Sequence, residues 1–439
     1  MQYALNCRLV LLLLIFLSAP VLAQDTGGEK EKPAGQPGTR AELWKEMKLE
    51  KQQSSQPLKL GWMERLFVNG EKGKFNLSHG GIYPVIGTVT SGSGPSFGAR
   101  FDALNLGGLP LDLSIMGEGS TRRYQEYSAE IGELGRRETT FVLQPDSRRL
   151  VGQFDQGPRE KQPGGVLYLD FTFDHFPQED FYGLGQASLR SNVSDYLYQA
   201  ASVEAVAGFQ FNRWLGWSIR GGLLRLDLQP GTDEGHPDLN AVFGPAAIPG
   251  VAVQPDFLHF ETALLADYRD KPGNAHRGGM FGILTARYDD RGGRQFGFSR
   301  VAFETRQYLP WWSDYRTFAL RFLTSFDRPS DGAEVPFYLM ESLGGSGSIR
   351  GFPEYRFRDR NLLLMSAEYR WRVAEFLQMA LFYDTGKVFA HSADFDFSGL
   401  EKGFGGGFRI LRGDTVFLRL ELGHSREGNM VHLRLGPSF

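Results

Sequence analysis

The most constraining feature of this chain is an alternation that a dry core cannot accommodate. In residues 361–373, Leu363, Met365, Ala367, Tyr369, Trp371 and Val373 occupy one parity, and Ser366, Glu368, Arg370 and Arg372 occupy the other. A β-strand turns successive side chains to opposite faces. Charges at every second position therefore require one face to meet something apolar and the other to meet water. The pattern returns in 377–386, where Met379, Leu381 and Tyr383 alternate with Ala380, Phe382 and Asp384. In 414–424, Val416, Leu418, Leu420 and Leu422 are set against Arg419, Glu421 and His424, with Phe417 as an exception.

Thirteen further segments read as strands: about 81–89, 96–105, 109–118, 122–133, 165–176, 194–211, 215–228, 256–269, 279–289, 296–309, 315–326, 401–412 and 429–438. The total of sixteen is even, and most segments are long enough to cross a bilayer at a tilt. In lipid such a sheet must close on itself, because an open edge leaves backbone groups unpaired. The expected fold is all-β: a closed antiparallel transmembrane β-barrel of about sixteen strands over residues 76–439. A mean hydropathy of −0.30, 55 glycines and 13% aromatic residues suit it, since barrel strands are half polar. A soluble β-sandwich is the competing fold, but it needs no outward stripe so rich in Leu, Phe, Trp and Tyr. Residues 134–164 and 229–255 are long connections with no evident place.

Residues 1–23 read as a signal peptide. Arg8 precedes the apolar run 9–17, and Val21-Leu22-Ala23 offers a cleavage site before Gln24. Nine apolar residues are too few for a membrane anchor. The single cysteine, Cys7, lies inside this segment, so disulfides are not expected in the exported chain. Residues 24–75 read as a polar periplasmic linker. Within it, 39–53 places Leu43, Trp44, Met47 and Leu49 near one face. A short amphipathic helix and a half-ordered tail both satisfy that pattern.

One loop stands apart: GGSGSIRGFPEYRFRDR, residues 344–360. Its glycines and serines permit positive φ and a tight fold-back. A phosphate cradle is excluded, because no Lys-Ser/Thr follows the glycines and the flanks are strands. Glu354 and Asp359 interrupt the arginines and the net charge is −3, which argues against nucleic acid. The eight histidines show no metal-ligand spacing, so no metal and no cofactor are expected. At the carboxyl end, Val431, Leu433, Leu435 and Phe439 share one parity, with His432 and Arg434 on the other. A final strand with a terminal aromatic marks an outer-membrane barrel without saying what it does.

LGGSGSIRGF (343–352), SAEYRWRV (366–373) and FYDTGKVF (382–389) together resemble the BamA/TamA outer-membrane assembly superfamily, also called the bacterial surface antigen family. The resemblance covers roughly residues 75–439 and is most specific at 343–389. It implies a long loop folded into the barrel before the last five strands, with the motif Ile349-Arg350-Gly351-Phe352 at its tip. It also implies that Arg350 meets carboxylates on the next two strands, here Glu368 and Asp384. Arginine supplies a planar, permanently charged fork for such a pair. In a wet lumen the contact would contribute roughly 1–3 kcal/mol.

Two features bear on function. Pro84 in the first strand and Pro437 near the end cannot donate ladder hydrogen bonds, and Gly436 makes a kink easy. Either the barrel has a weak seam, or Pro84 lies in the lead-in and Pro437 at a frayed end. The second feature is a departure from the family. The stretch between Gln24 and the first strand is too short and linker-like for a POTRA domain, so the chain reads as a POTRA-less member. The implied function is insertion or translocation of protein or lipid substrates at the bacterial outer membrane, with no covalent chemistry. The implied partners are outer-membrane lipid, a periplasmic or POTRA-bearing protein and unfolded protein clients. The alternatives are a passive channel or structural barrel and, last, a hydrolase, for which no catalytic constellation stands out.

Overall fold

The computed structural model describes residues 81–439 except 91, 138, 144–153, 155–160, 245 and 246. The expected signal peptide, the linker and the segment 39–53 lie outside the described residues. The strands are β1 (Gly81–Gly87), β2 (Ser96–Ala103), β3 (Asp112–Ser120), β4 (Gln125–Gly132), β5 (Gly164–Phe181), β6 (Ser194–Gln210), β7 (Leu215–Pro230), β8 (Phe257–Asp267) and β9 (Gly278–Asp290). They continue with β10 (Phe298–Trp311), β11 (Ser313–Pro329), β12 (Glu341–Leu343), β13 (Phe357–Asp359), β14 (Asn361–Ala374), β15 (Leu377–Phe389), β16 (Glu401–Arg412), β17 (Thr415–Ser425) and β18 (Gly428–Leu435). Sixteen of them form one antiparallel sheet in sequence order, β1 to β11 followed by β14 to β18. The remaining two, β12 and β13, pair only with each other inside the long loop. Five barrel strands follow that loop. The sixteen expected strands coincide with the sixteen of the sheet, differing at their ends; β5, for example, runs on to Phe181 through a register shift after Phe176.

Alternation sets which face each side chain takes. On β14, Ser366, Glu368 and Arg370 are buried, while Ala367 and Val373 are exposed. Apolar residues such as Phe97, Ile115, Leu167, Phe281, Leu381 and Leu433 stand on the outer face, where a membrane barrel meets lipid. His424 belongs to this outer set, not to the charged lumenal set. It is exposed and packs edge-on to Phe404 at 5.2 Å. It shares the even parity of Leu420 and Leu422, and strand geometry overrides its polarity.

Loop and connection side chains pack into the lumen. At the end where β5 finishes and β6 begins, a buried apolar cluster joins Phe181 and Tyr196 of the strands to Phe337, Leu339, Ile349, Phe352 and Phe357 of the long loop. Leu239 of a short helix (Leu239–Phe243) and Ile248 bring the 229–255 connection into the same cluster. From the opposite end, the 134–164 connection contributes Phe141, Leu143 and Phe154, all essentially inaccessible. Gln210 Oε1 accepts from the Phe141 amide, and Ser218 Oγ accepts from the Leu143 amide. Phe154 lies on Gly282 of β9, where a β-carbon would come within 2.6 Å of the ring.

The seam differs from the expectation of full closure. Each barrel strand is hydrogen-bonded to its sequence neighbours in the sheet, but among the described residues no ladder joins β18 to β1. The barrel is nearly closed. Pro84 sits within β1, opposite Ala99 of β2, and not in a lead-in. Pro437 lies beyond β18, which ends at Leu435.

Candidate functional site

The lumenal wall of β14–β17 is built in registered rows. Ser366, Asp384, Gly403 and Ser425 form one row across the four strands, and Glu368, Phe382, Gly405 and Gly423 form the next. Three lumenal positions of β16, Gly403, Gly405 and Gly407, carry no side chain. They leave a hollow between the acids of β14 and β15 and Glu421 of β17.

The tip of the long loop occupies this hollow. A β-carbon on Gly403 would stand 2.0 Å from the Arg350 carbonyl oxygen, and one on Gly423 would stand 2.6 Å from the Gly351 nitrogen. Gly351 has φ of 107°, and a β-carbon there would stand 2.7 Å from the His424 carbonyl carbon, so both its conformation and its space demand glycine. Ser425 Oγ donates to the Gly351 carbonyl at 2.6 Å. Within the loop, the Gly345 amide donates to the Phe352 carbonyl at 3.0 Å, which closes the turn.

Arg350 is the centre of the site. Its Nε and Nη2 donate to the two oxygens of Asp384 at 2.7 and 2.8 Å, a bidentate fork. Its Nη1 donates to Glu368 at 2.6 Å and to Glu421 at 3.2 Å. The backbone amide of Arg350 also reaches Asp384, at 3.1 Å. The guanidinium lies 3.6 Å from the centre of the Phe382 ring, a cation–π contact. The side chain is 2% exposed. Removal from water makes this arrangement stronger and more costly to break than the wet-lumen estimate of 1–3 kcal/mol allows.

The residues named from sequence take distinct places. Arg350, Glu368 and Asp384 are in direct contact. Ile349 is fully buried in the apolar cluster. Phe352 is also fully buried, but it packs edge-on to Phe357 of the loop itself at 5.0 Å. The three arginines after it do separate work. Arg356 binds Glu427 of the β17–β18 turn at 2.8 Å, and Arg358 donates to the Tyr196 hydroxyl at 3.1 Å. The Arg360 amide donates to the Asp359 carboxylate at 2.8 Å. At the loop's base, Arg300 of β10 clasps Asp327 of β11 and Glu341 of β12, each at 2.7 Å.

Sequence reasoning missed the rest of the network. Glu368 is also bound by Arg370 at 2.7 Å and by Arg409 at 2.9 Å. Glu421 receives Arg409 and Arg419, each at 3.0 Å. The lumenal parity of Arg419 and Glu421 was visible, but which carboxylate each arginine would reach was not. The run KGFGGGF (402–408) was a signal for the hollow, since three glycines at one parity clear a single face of a strand.

The carboxyl terminus departs most from expectation. Gly436 adopts φ of 82°, and the chain leaves the sheet there. Phe439 therefore does not share the outer face of Val431, Leu433 and Leu435. It turns into the lumen and is buried with Ala275, Tyr308 and Ala319. Ser438 Oγ donates to Glu368 at 3.1 Å and accepts from Arg370 and Arg409, each at 3.1 Å.

A family model described as the Omp85 superfamily domain matches residues 171–422. Among solved structures, the chain is similar to BamA from Haemophilus ducreyi lacking POTRA domains 1–3. That match has 14% identity and a TM-score of 0.57, and covers 82% of this chain and 69% of that one. The chain is also similar to CdiB from Escherichia coli, with 12% identity and a TM-score of 0.47, over 81% of this chain and 62% of that one. No curated protein matches. At such identities the likeness to BamA shows a common barrel fold.

Proposed function

Because the chain belongs to the Omp85 superfamily, we propose that it resides in the bacterial outer membrane and helps insert or translocate protein or lipid substrates there. The observation that carries this reading is the seam: β1 and β18 are short and share no ladder among the described residues. An unpaired edge in lipid leaves backbone donors and acceptors available to an incoming strand. The loop held by Arg350 keeps the neighbouring wall, β14–β17, rigid while the seam stays loose. No covalent chemistry, metal or cofactor takes part. Clients would be unfolded polypeptides, and a periplasmic or POTRA-bearing partner would supply their capture.

The test is reconstitution of the purified chain into liposomes, with the insertion rate of an unfolded outer-membrane protein as readout and Arg350→Ala as control. Acceleration that is lost in the variant supports the proposal. A rate equal to that of empty liposomes removes insertase activity from the barrel alone. The second reading, a passive channel, is disfavoured by the packed lumen, where Phe154, Phe337 and Phe352 are all fully buried.

A further inference from the structure

The turn between β8 and β9, residues 268–277, reaches much farther than a hairpin needs. In an antiparallel sheet taken in sequence order, β8 ends where β1 begins, so the turn leaves the barrel at that mouth. Its two legs are tied together. The Tyr268 amide donates to the Gly279 carbonyl at 2.9 Å, and the Asp270 amide to the Arg277 carbonyl at 3.1 Å. The Asp270 carboxylate accepts from the amides of His276 and Arg277 at 2.9 and 3.2 Å. At the base, Asp267 holds Arg269 at 2.9 Å and Lys161 at 2.6 Å, with all three side chains buried. The tip is a tight turn closed from the Asn274 amide to the Lys271 carbonyl at 3.0 Å. Past it, Ala275 is buried with Tyr308 of β10 and Ala319 of β11. The tip itself rests on strands farther round the barrel. The Val416 amide of β17 donates to the Gly273 carbonyl at 3.2 Å. Lys271 pairs with Asp414 of the β16–β17 turn at 2.7 Å, and Gln378 of β15 donates to Asn274 at 3.4 Å. A β8–β9 turn that touches β15 and β17 is a chord across the mouth.

Base and tip are held unequally. The Lys271–Asp414 pair is half exposed, and exposed pairs contribute little. Asp414 also has Arg372 at 3.8 Å, so it is not stranded when Lys271 leaves. Beneath the tip, Asn274 Nδ2 and Gln378 Oε1 are buried with no hydrogen-bond partner among the described residues. Exchanging the ends of both amides only changes which atoms go unpaired. Lifting the tip hydrates them, so the closed contact carries a cost that opening removes. We propose that residues 268–277 form a strap that swings about its base, bars the lumen at this mouth in the state described here, and opens it when the tip leaves β15 and β17. Any solute or polypeptide segment entering the lumen from this end passes the strap. The proposal goes beyond the insertion reading and does not need it.

The test is a reversible lock. Cys7 is the only cysteine and lies in the expected signal peptide, so introduced thiols have no background. Gly273 has no positive φ, and a β-carbon there would stand 3.4 Å from the Thr415 β-carbon, close to the roughly 3.5–4.5 Å of a disulfide. Gly273→Cys with Thr415→Cys should therefore cross-link on mild oxidation of the folded chain in detergent, the bond being mapped by mass spectrometry. Gln378→Cys places a reporter thiol on the lumenal wall beneath the tip, where Gln378 is 1% exposed. A charged methanethiosulfonate reagent should label this thiol in the folded chain, and at least about tenfold more slowly once the lock is closed. Equal rates with and without the lock overturn the proposal. So does a folded Gln378→Cys that never labels, or a cysteine pair that does not cross-link. If Gln378→Cys does not fold, hydrogen exchange on the cysteine pair decides. The Val416 amide should exchange at least about tenfold faster than the ladder amides of β17 when the pair is reduced, and at their rate when it is oxidised. Equal protection in the reduced chain overturns the proposal. Neither readout measures insertion, so failure here leaves the liposome assay to judge the proposed function separately.

Discussion

Arg350→Ala should unlock the loop tip, and the size of the effect follows from what the substitution strands. Asp384 loses both side-chain partners of its bidentate fork and keeps the amide of residue 350. Glu368 and Glu421 lose one cation each but retain Arg409, with Arg370 and Arg419 beside them. The damage therefore concentrates on one fully buried carboxylate. Removing one partner of a buried pair costs about 3–5 kcal/mol, most of it from the uncompensated charge. The lost stacking on Phe382 adds less, because both effects reflect the same desolvated cation and do not sum. At about 1.4 kcal/mol per tenfold, amide exchange across residues 344–352 should accelerate by a factor of about 10² to a few times 10³ through local opening. Hydrogen exchange read by mass spectrometry on the folded protein in detergent measures this directly. Asp384→Asn, which removes the stranded charge and keeps an acceptor, should show a smaller acceleration. Exchange within threefold of the parent in Arg350→Ala would refute the claim that this arginine fixes the loop, as would Asp384→Asn exceeding it.

Gly403→Ala places a methyl group 2.0 Å from the Arg350 carbonyl oxygen; expelling the loop tip should cost about 1–3 kcal/mol, read as faster exchange of the same peptides with β16 intact. Phe154→Ala empties a fully buried site on Gly282 and should destabilise the folded barrel by about 3–5 kcal/mol, checked by the urea midpoint for loss of the heat-resistant gel form. In planar bilayers the parent should give no large steady conductance, whereas Arg350→Ala should raise the frequency of brief openings; a stable open pore in the parent would favour the channel reading.

Much of the architecture was legible because a strand's two faces are written into alternate residues. The run from Leu363 to Val373 revealed its lipid and lumenal sides, and the even count of such runs implied a barrel. The glycines and serines of residues 344–348 indicated a fold-back, and the family resemblance at Ile349-Arg350-Gly351-Phe352 implied that Arg350 meets Glu368 and Asp384. Where parity was misapplied, as with His424, residue type had been weighed above position.

What remained hidden depends on cross-strand register and on chain ends. Gly403, Gly405 and Gly407 look like flexibility in one dimension; only the sheet sets them beside Asp384 and Glu421 as a hollow for Arg350. Phe439 has the parity of an outward residue, and one positive φ at Gly436 sends it into the lumen instead. The sequence by itself determined the strands, their faces and the polar character of the interior, because those follow from a period of two along a single segment. The tertiary structure alone decided that the interior is packed, that no ladder joins β1 to β18 among the described residues, and that the loop and the tail meet at Glu368. Those facts depend on which of many compatible cations reaches which anion, a choice made by distance across the barrel.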